Sequence, residues 1–357
     1  MNRLIFLSFF LTAFFFTINC QDHFSDRLPD IHDQFSNSFV CKYTGLLCGS
    51  YPLKKISFSE MHKYLLKKVA GHRKIITNIL EALELHLTDI SDTPLVLYFF
   101  GETGTGKTYL SELLGKVLYK NTNALLKFDC GTSANESTEI IYELIKEHYT
   151  RYPRGAILFD EAEQCNELFS KLNYFLDSGS VMIKKKTYHF PHAFIILASN
   201  YPSYFLINGD PADPKWNDFK KIREELTPLI SKLYPDPLFA NRISRFLPFF
   251  PTTRKELIEV ARIQLENFKE QIESNWLEEI HYSDELVDYL GSIADPKVNA
   301  GGLAKTIQIK IMQRLLHMRG EVYNRYDSMS IHYHNDTIHI YKTEDNAQGS
   351  NFNWNEL

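Results

Sequence analysis

Apolar and polar positions along this chain follow two different periods, and the order in which those periods occur outlines the architecture. Ser59-Glu60-Met61-His62 opens a helical pattern carried by Met61, Leu65, Leu66 and Val69. Gly71 interrupts it, and a second helical pattern runs through Ile75, Ile76, Ile79, Leu80 and Leu83. An unbroken apolar run follows, Leu95-Val96-Leu97-Tyr98-Phe99-Phe100. Short and apolar on both faces, it fits a strand buried inside a parallel sheet. Strand-like segments at Leu125 to Cys130, Ala156 to Phe159 and Ala193 to Ala198 alternate with helical patterns to about Lys120, near Glu139 to Tyr149 and around Glu167 to Leu176. This alternation predicts a three-layer α/β unit over residues 59–252, a parallel sheet between helices.

From Arg254 the pattern turns helical. Thr253 is placed to cap a helix from Arg254 to Glu270, and Asp284 to Ile293 and Leu303 to Met318 supply two more. Ser330 to Tyr333 and Thr337 to Tyr341 alternate around Asn335-Asp336, which predicts a hairpin. Residues 253–343 therefore form a small helical lid domain with a terminal hairpin. His332 and His334 fall on one face of that hairpin, where solvated histidines are expected, with His339 on the second strand. A polar tail, 344–357, completes the chain.

The first residues carry a different signal. Arg3, the apolar Leu4 to Phe16 and the polar Thr17 to Asp22 form a signal-peptide pattern, with cleavage expected near Cys20. The following segment, 21–58, holds Cys41 and Cys48, close enough to close a small loop in an oxidising lumen. Cys130 and Cys165 are expected to be small buried hydrophobes. Sequons occur at Asn135-Glu136-Ser137 and Asn335-Asp336-Thr337, and the chain ends Asn355-Glu356-Leu357, near the Asp-Glu-Leu ending of endoplasmic reticulum retrieval signals. Composition adds little: 357 residues, 44% hydrophobic and 23% charged, are ordinary for a globular chain. A net charge of −5 with no long basic run gives no nucleic-acid footprint; Lys184-Lys185-Lys186 is too short and reads as a hairpin tip.

The chemistry is concentrated where strands end. Gly101-Glu102-Thr103-Gly104-Thr105-Gly106-Lys107-Thr108 lies between the first apolar strand and a helical pattern, the context a phosphate-binding loop requires. Its backbone N–H groups would cradle a nucleotide's phosphates, Lys107 would reach the β- and γ-phosphates, and the Thr108 hydroxyl would face Mg²⁺. The strand at Ala156 ends in Asp160-Glu161, with Asp160 placed to hold Mg²⁺ and Glu161 to polarise an attacking water. Glu163 reads as first-turn surface charge. The strand at Ala193 ends in Ser199-Asn200, whose amide can orient that water. Phe239-Ala240-Asn241-Arg242-Ile243 offers Arg242 as a finger toward a neighbouring subunit, or as the partner of a carboxylate on its own chain.

Taken together these motifs resemble the Clp type of AAA+ ATPases and, within it, the torsins. Leu158-Phe159-Asp160-Glu161, Phe175-Leu176-Asp177-Ser178-Gly179 and Phe239-Ala240-Asn241-Arg242-Ile243 with Phe250-Pro251 follow the Clp order. Cys41 to Cys48, Val69-Ala70-Gly71-His72 and Pro94-Leu95-Val96-Leu97 before the glycine-rich loop are torsin-like. The resemblance covers roughly residues 40 to 318. It implies a P-loop NTPase fold, ATP and Mg²⁺ as ligands, a homo-oligomer or a hetero-oligomer with a membrane-anchored luminal activator, and protein substrates. It implies the endoplasmic reticulum lumen, and with it the nuclear envelope, as the location, a compartment that also supplies the ATP a P-loop enzyme needs.

Three positions depart from the torsin pattern. Thr108 stands where torsins carry Asn, Arg242 where they usually lack a finger, and Asn299-Ala300-Gly301-Gly302-Leu303-Ala304-Lys305 where they have Gly-Cys-Lys, leaving Lys305 as a substitute basic sensor. The loop Gly131 to Ser137 has no aromatic residue with which to grip polypeptide. Besides an ATP-hydrolysing remodeller, the sequence therefore leaves open a nucleotide-gated scaffold with negligible hydrolysis, a Clp-type unfoldase and a small-molecule P-loop kinase.

Overall fold

The structure, a computed structural model, describes residues 53–54, 57–87, 92–133, 137–206, 209–211, 213–275, 277, 279–294, 299–313, 315 and 328–342. The expected signal peptide 1–20, Cys41 and Cys48, the sequon at Asn135 and the tail 344–357 lie outside them.

Ser57 starts helix α1 (Phe58–Lys68) with a capping box: its hydroxyl accepts from Glu60 N at 3.1 Å while the Glu60 carboxylate accepts from Ser57 N at 3.0 Å. Helix α2 (Arg73–Leu87) then leads to strand β1 (Leu95–Gly101) and helix α3 (Lys107–Leu118). The alternation continues with β2 (Leu125–Asp129), α4 (Thr138–Arg151), β3 (Ala156–Asp160), the short helices α5 (Asn166–Lys171) and α6 (Asn173–Ser178), the hairpin β4 (Ser180–Ile183) and β5 (Lys186–His189), and β6 (Phe194–Ser199). Helix α7 (Phe219–Leu233) precedes β7 (Arg245–Phe249).

Five of these strands form one parallel sheet in the order β2-β3-β6-β1-β7. Period-2 geometry divides β1 between the two faces of the sheet. Val96, Tyr98 and Phe100 pack with Phe159, Leu197 and the apolar sides of α4 and α7, whereas Leu95, Leu97 and Phe99 pack with Leu158, Ile196 and helices α1 to α3. Both faces are buried, which is why the strands read as continuous apolar runs rather than alternating ones.

A separate apolar cluster, built from Ala261 onward, holds the second unit together. It comprises α8 (Arg254–Asn275), β8 (Glu279–Tyr282), α9 (Asp284–Ile293), α10 (Asn299–Ile307), whose end continues into a π-turn at Gln308–Met312, and the hairpin β9 (Ser328–His334) and β10 (Thr337–Lys342). Thr253 does cap α8, in a box with Glu256. The hairpin gains a third strand, because β8 pairs in parallel with β9. The α8 helix is also pinned to α1, where the nearly buried Lys68 ammonium donates to Asn267 Oδ1 and Glu270 Oε2, each at 2.8 Å. No helix among the described residues is long and apolar enough to cross a membrane.

Candidate active site

Parallel strands bring their carboxyl ends to one edge, and the pairing register fixes which residues meet there. Asp129 lies opposite Asp160, Phe100 opposite Ser199, and Gly101 opposite Phe249. The glycine-rich loop leaves this edge between β1 and α3. Gly106, the residue preceding α3, has φ 95°, a left-handed conformation that costs glycine little, and the helix start has no side-chain cap. Its first backbone N–H groups therefore face an open cleft of about 470 Å³ lined by Gly104, Lys107, Thr108, Asp160, Asn200 and Ala304. Uncapped N–H groups at the start of a twelve-residue helix are what a phosphate needs.

Lys107 is held in place by three acceptors: the carbonyls of Gly101 and Glu102, each at 2.7 Å, and Asn200 Oδ1 at 3.0 Å. Burial pushes its ammonium down to about 8, against the opposing pull of Glu163, Asp160 and Glu102. The Thr108 hydroxyl donates to Asp160 Oδ1 at 2.9 Å, so a hydroxyl and a carboxylate suited to a hard divalent cation already face each other. Lys127 on β2 lies 3.4 Å from the second oxygen of Asp160 and 3.1 Å from Glu112.

Glu161 is exposed and takes φ 53°, ψ 46°. A left-handed conformation at a non-glycine residue costs on the order of 1–2 kcal/mol. The turn nevertheless adopts it, and its neighbours accommodate the carboxylate: a Cβ at Gly131 would lie 2.7 Å from Glu161 Oε2. A side chain at that position would push the exposed carboxylate aside.

Two expectations need correction here. Glu163 is not surface charge: it is half-buried, and its Oε2 accepts from Asn200 N at 3.1 Å, fixing the strand end that presents Asn200 to Lys107. Cys130 and Cys165 are buried, as expected, but they are joined as a disulfide with Cα atoms 5.3 Å apart. The bond ties the helical turn after β2 to the turn that follows Glu161. Their 35-residue spacing carries no sequence pattern; only the parallel pairing of β2 with β3 brings them together. Cys165→Ser is expected to lower unfolding stability by about 2–4 kcal/mol, measured by denaturant titration under non-reducing conditions.

Beside the cleft, Val69, Ala70, Leu257, Val260 and Ile263 form an apolar slot against Gly104 and Gly106. His72 closes one side of the slot, its Nε2 2.7 Å from Thr105 O and its ring 4.8 Å from that of Phe249. Burial lowers the pKa of His72 and favours the neutral ring.

Comparison with known proteins fits this geometry. A family model described as Torsin matches residues 43–127, and one described as AAA domain matches 94–188. Chaperone protein ClpB3 from the chloroplast of Arabidopsis thaliana is 28% identical over 301 residues, covering 77% of this chain and 30% of that protein. Heat shock protein hsp98 of Neurospora crassa is 24% identical over 317 residues, 80% of this chain and 33% of its own. The chain thus spans about a third of the length of these relatives. A solved structure, the S. cerevisiae Hsp104-ADP complex, shares the fold with a TM-score of 0.63 at 20% identity, over 77% of this chain and 50% of that one. The chain is thus similar to torsins around its glycine-rich loop and to Clp-type chaperones over about three quarters of its length.

Arg242 sits on the turn Phe239–Arg242, away from the residues that line its own cleft. Its guanidinium is paired through Nη1 with Asp236, the same-chain pairing that the sequence left open. Its Nε is buried and has no hydrogen-bond partner among the described residues. The turn is braced by Arg223, which pattern reasoning missed: Nη2 donates to Ile243 O at 2.6 Å and Nη1 to Asn241 O at 3.1 Å. A packed path joins this turn to Asn200. Tyr98 Oη donates to Tyr201 O at 2.9 Å and lies 3.4 Å from Tyr234 Oη, and the Tyr234 ring stacks on Phe239 at 4.0 Å. On α10, Ala304 lines the cleft while the neighbouring Lys305 is exposed and does not line it.

Proposed function

We propose that this chain is a Mg²⁺-dependent ATPase of the endoplasmic reticulum lumen, working in an oligomer that remodels proteins or membrane-associated complexes. One observation carries the hydrolytic reading: Lys107, Thr108, Asp160, Glu161 and Asn200 line one cleft at one sheet edge, where Lys107 is hydrogen-bonded to Asn200 and Thr108 to Asp160. Lys107 would pair with phosphate oxygens; Thr108 and Asp160 would hold Mg²⁺, which when bound neutralises phosphate charge. Glu161 takes the proton of the attacking water, and Asn200 orients that water. Arg242 acts on the site of a neighbouring subunit.

The buried Cys130–Cys165 disulfide supports an oxidising compartment, since such bonds are rare in the cytosol. Polypeptide work is supported by the likeness to chaperones named ClpB and Hsp104, although no aromatic residue occurs between Gly131 and Ser137.

The test is ATP turnover by the purified chain from residue 21 onward, alone and with the luminal domain of a candidate membrane-anchored activator. Mg²⁺-dependent turnover by the chain alone is the expected result. Turnover that appears only with the second protein would mean Arg242 is not the working finger. Tight nucleotide binding without turnover in either case would favour the gated scaffold, a reading supported by the Arg242–Asp236 pair and by the exposed position of Lys305 outside the cleft lining. Lys107→Met is expected to weaken ATP binding about ten- to a hundredfold, the loss of a charge-assisted hydrogen bond of roughly 1.5–3 kcal/mol, read by equilibrium titration.

A further inference from the structure

We propose that Asn335 is an N-glycosylation site, modified when the chain enters the lumen; the inference rests on the luminal reading above and adds a covalent modification to it. The acceptor triplet Asn335-Asp336-Thr337 bridges β9 and β10. His334 pairs with Thr337 across the hairpin, so Asn335 and Asp336 alone form the turn, at φ 48° and 59°. A two-residue hairpin turn of this hand needs positive φ at both positions, and asparagine and aspartate are the non-glycine residues that tolerate it. The turn thus fixes the triplet at the tip of a strand pair, the place where added bulk meets least of the fold.

Three features make the position chemically available. Asn335 and Asp336 are exposed, and the Asn335 side-chain amide makes no hydrogen bond among the described residues. The surrounding turn is held without it: Tyr333 Oη donates to Asp336 Oδ1 at 3.0 Å, and Thr337 Oγ1 donates to Asn335 O at 3.3 Å. The apolar side of the hairpin, Met329, Ile331, Ile338 and Ile340, faces the lid core, so a substituent on Asn335 displaces nothing buried. None of the hairpin's residues lines the nucleotide cleft. In the reaction, Asn335 Nδ2 bonds to C1 of the first sugar of a polyprenyl-diphosphate-linked oligosaccharide. The bond from C1 to the diphosphate oxygen breaks, the amide loses one proton, and polyprenyl diphosphate leaves, with no change in oxidation state.

The experiment translates the full chain in the presence of microsomes, scores protection from added protease, and treats the product with peptide N-glycosidase. The expected result is a protected chain that loses mass in one step attributable to Asn335, which mass spectrometry then reads as aspartate. Asn335→Gln and Thr337→Ala should each abolish that step, while Thr337→Ser, which restores the acceptor hydroxyl, should keep it. A protected chain unmodified at Asn335, or a mass step wholly retained in Asn335→Gln, overturns the proposal while leaving the luminal reading intact. A chain that is neither protected nor modified overturns both.

Discussion

Glu161→Gln is expected to keep nucleotide bound while lowering ATP turnover about 10²- to 10⁴-fold, the range associated with loss of a positioned general base. The substitution preserves side-chain length and hydrogen bonding but removes the group that accepts a proton. Binding should survive because its determinants lie elsewhere: Lys107 is held by the Gly101 and Glu102 carbonyls and Asn200, and Thr108 by Asp160. The variant must also fold, and the turn geometry indicates that it will, since glutamine meets the same left-handed conformation at φ 53° as glutamate. Steady-state phosphate release and titration with an ATP analogue, run in parallel, separate the two quantities. Turnover unchanged by the substitution would remove Glu161 from the mechanism. Lost binding instead would mean that the exposed carboxylate shapes the cleft rather than serving the reaction.

Arg242→Ala is expected to reduce turnover of the assembled protein by roughly 10³-fold, the lower end of what arginine fingers contribute. The effect should act on the neighbour's site. Mixing Arg242→Ala subunits with Glu161→Gln subunits should therefore restore part of the activity, because each supplies what the other lacks. An arginine whose whole role is its pair with Asp236 would show no such restoration, and its loss would register as lower stability. The geometry frames the contest: Nη1 is taken by Asp236, while Nε lies buried without a partner among the described residues.

The parallel sheet was legible because burial on both faces writes each strand as an unbroken apolar run, and the glycine-rich loop because phosphate binding demands its residues in fixed order. Asp160 and Asn200 could be read by their position after such runs. What escaped reading depended on tertiary placement. Glu163 looked like any first-turn acid until the pairing of β3 with β6 set it beneath Asn200 N. Helix α7 was hidden by Pro228, which sits on the exposed side while Ile222, Leu226 and Ile230 form a buried stripe. Strand β8 is four residues long and has meaning only beside β9. Arg223 carries no motif, because it recognises carbonyl oxygens that belong to other segments.

The bond between Cys130 and Cys165 also bears on how the protein is made. It joins segments that follow two neighbouring strands and flanks the turn bearing Glu161, so its redox state bears directly on that turn. Under the luminal reading proposed above, a preparation from a reducing bacterial cytosol would carry two thiols there, and its activity would describe the reduced form. Choice of expression host thus becomes an experimental variable, and free-thiol counting should precede any assay of turnover.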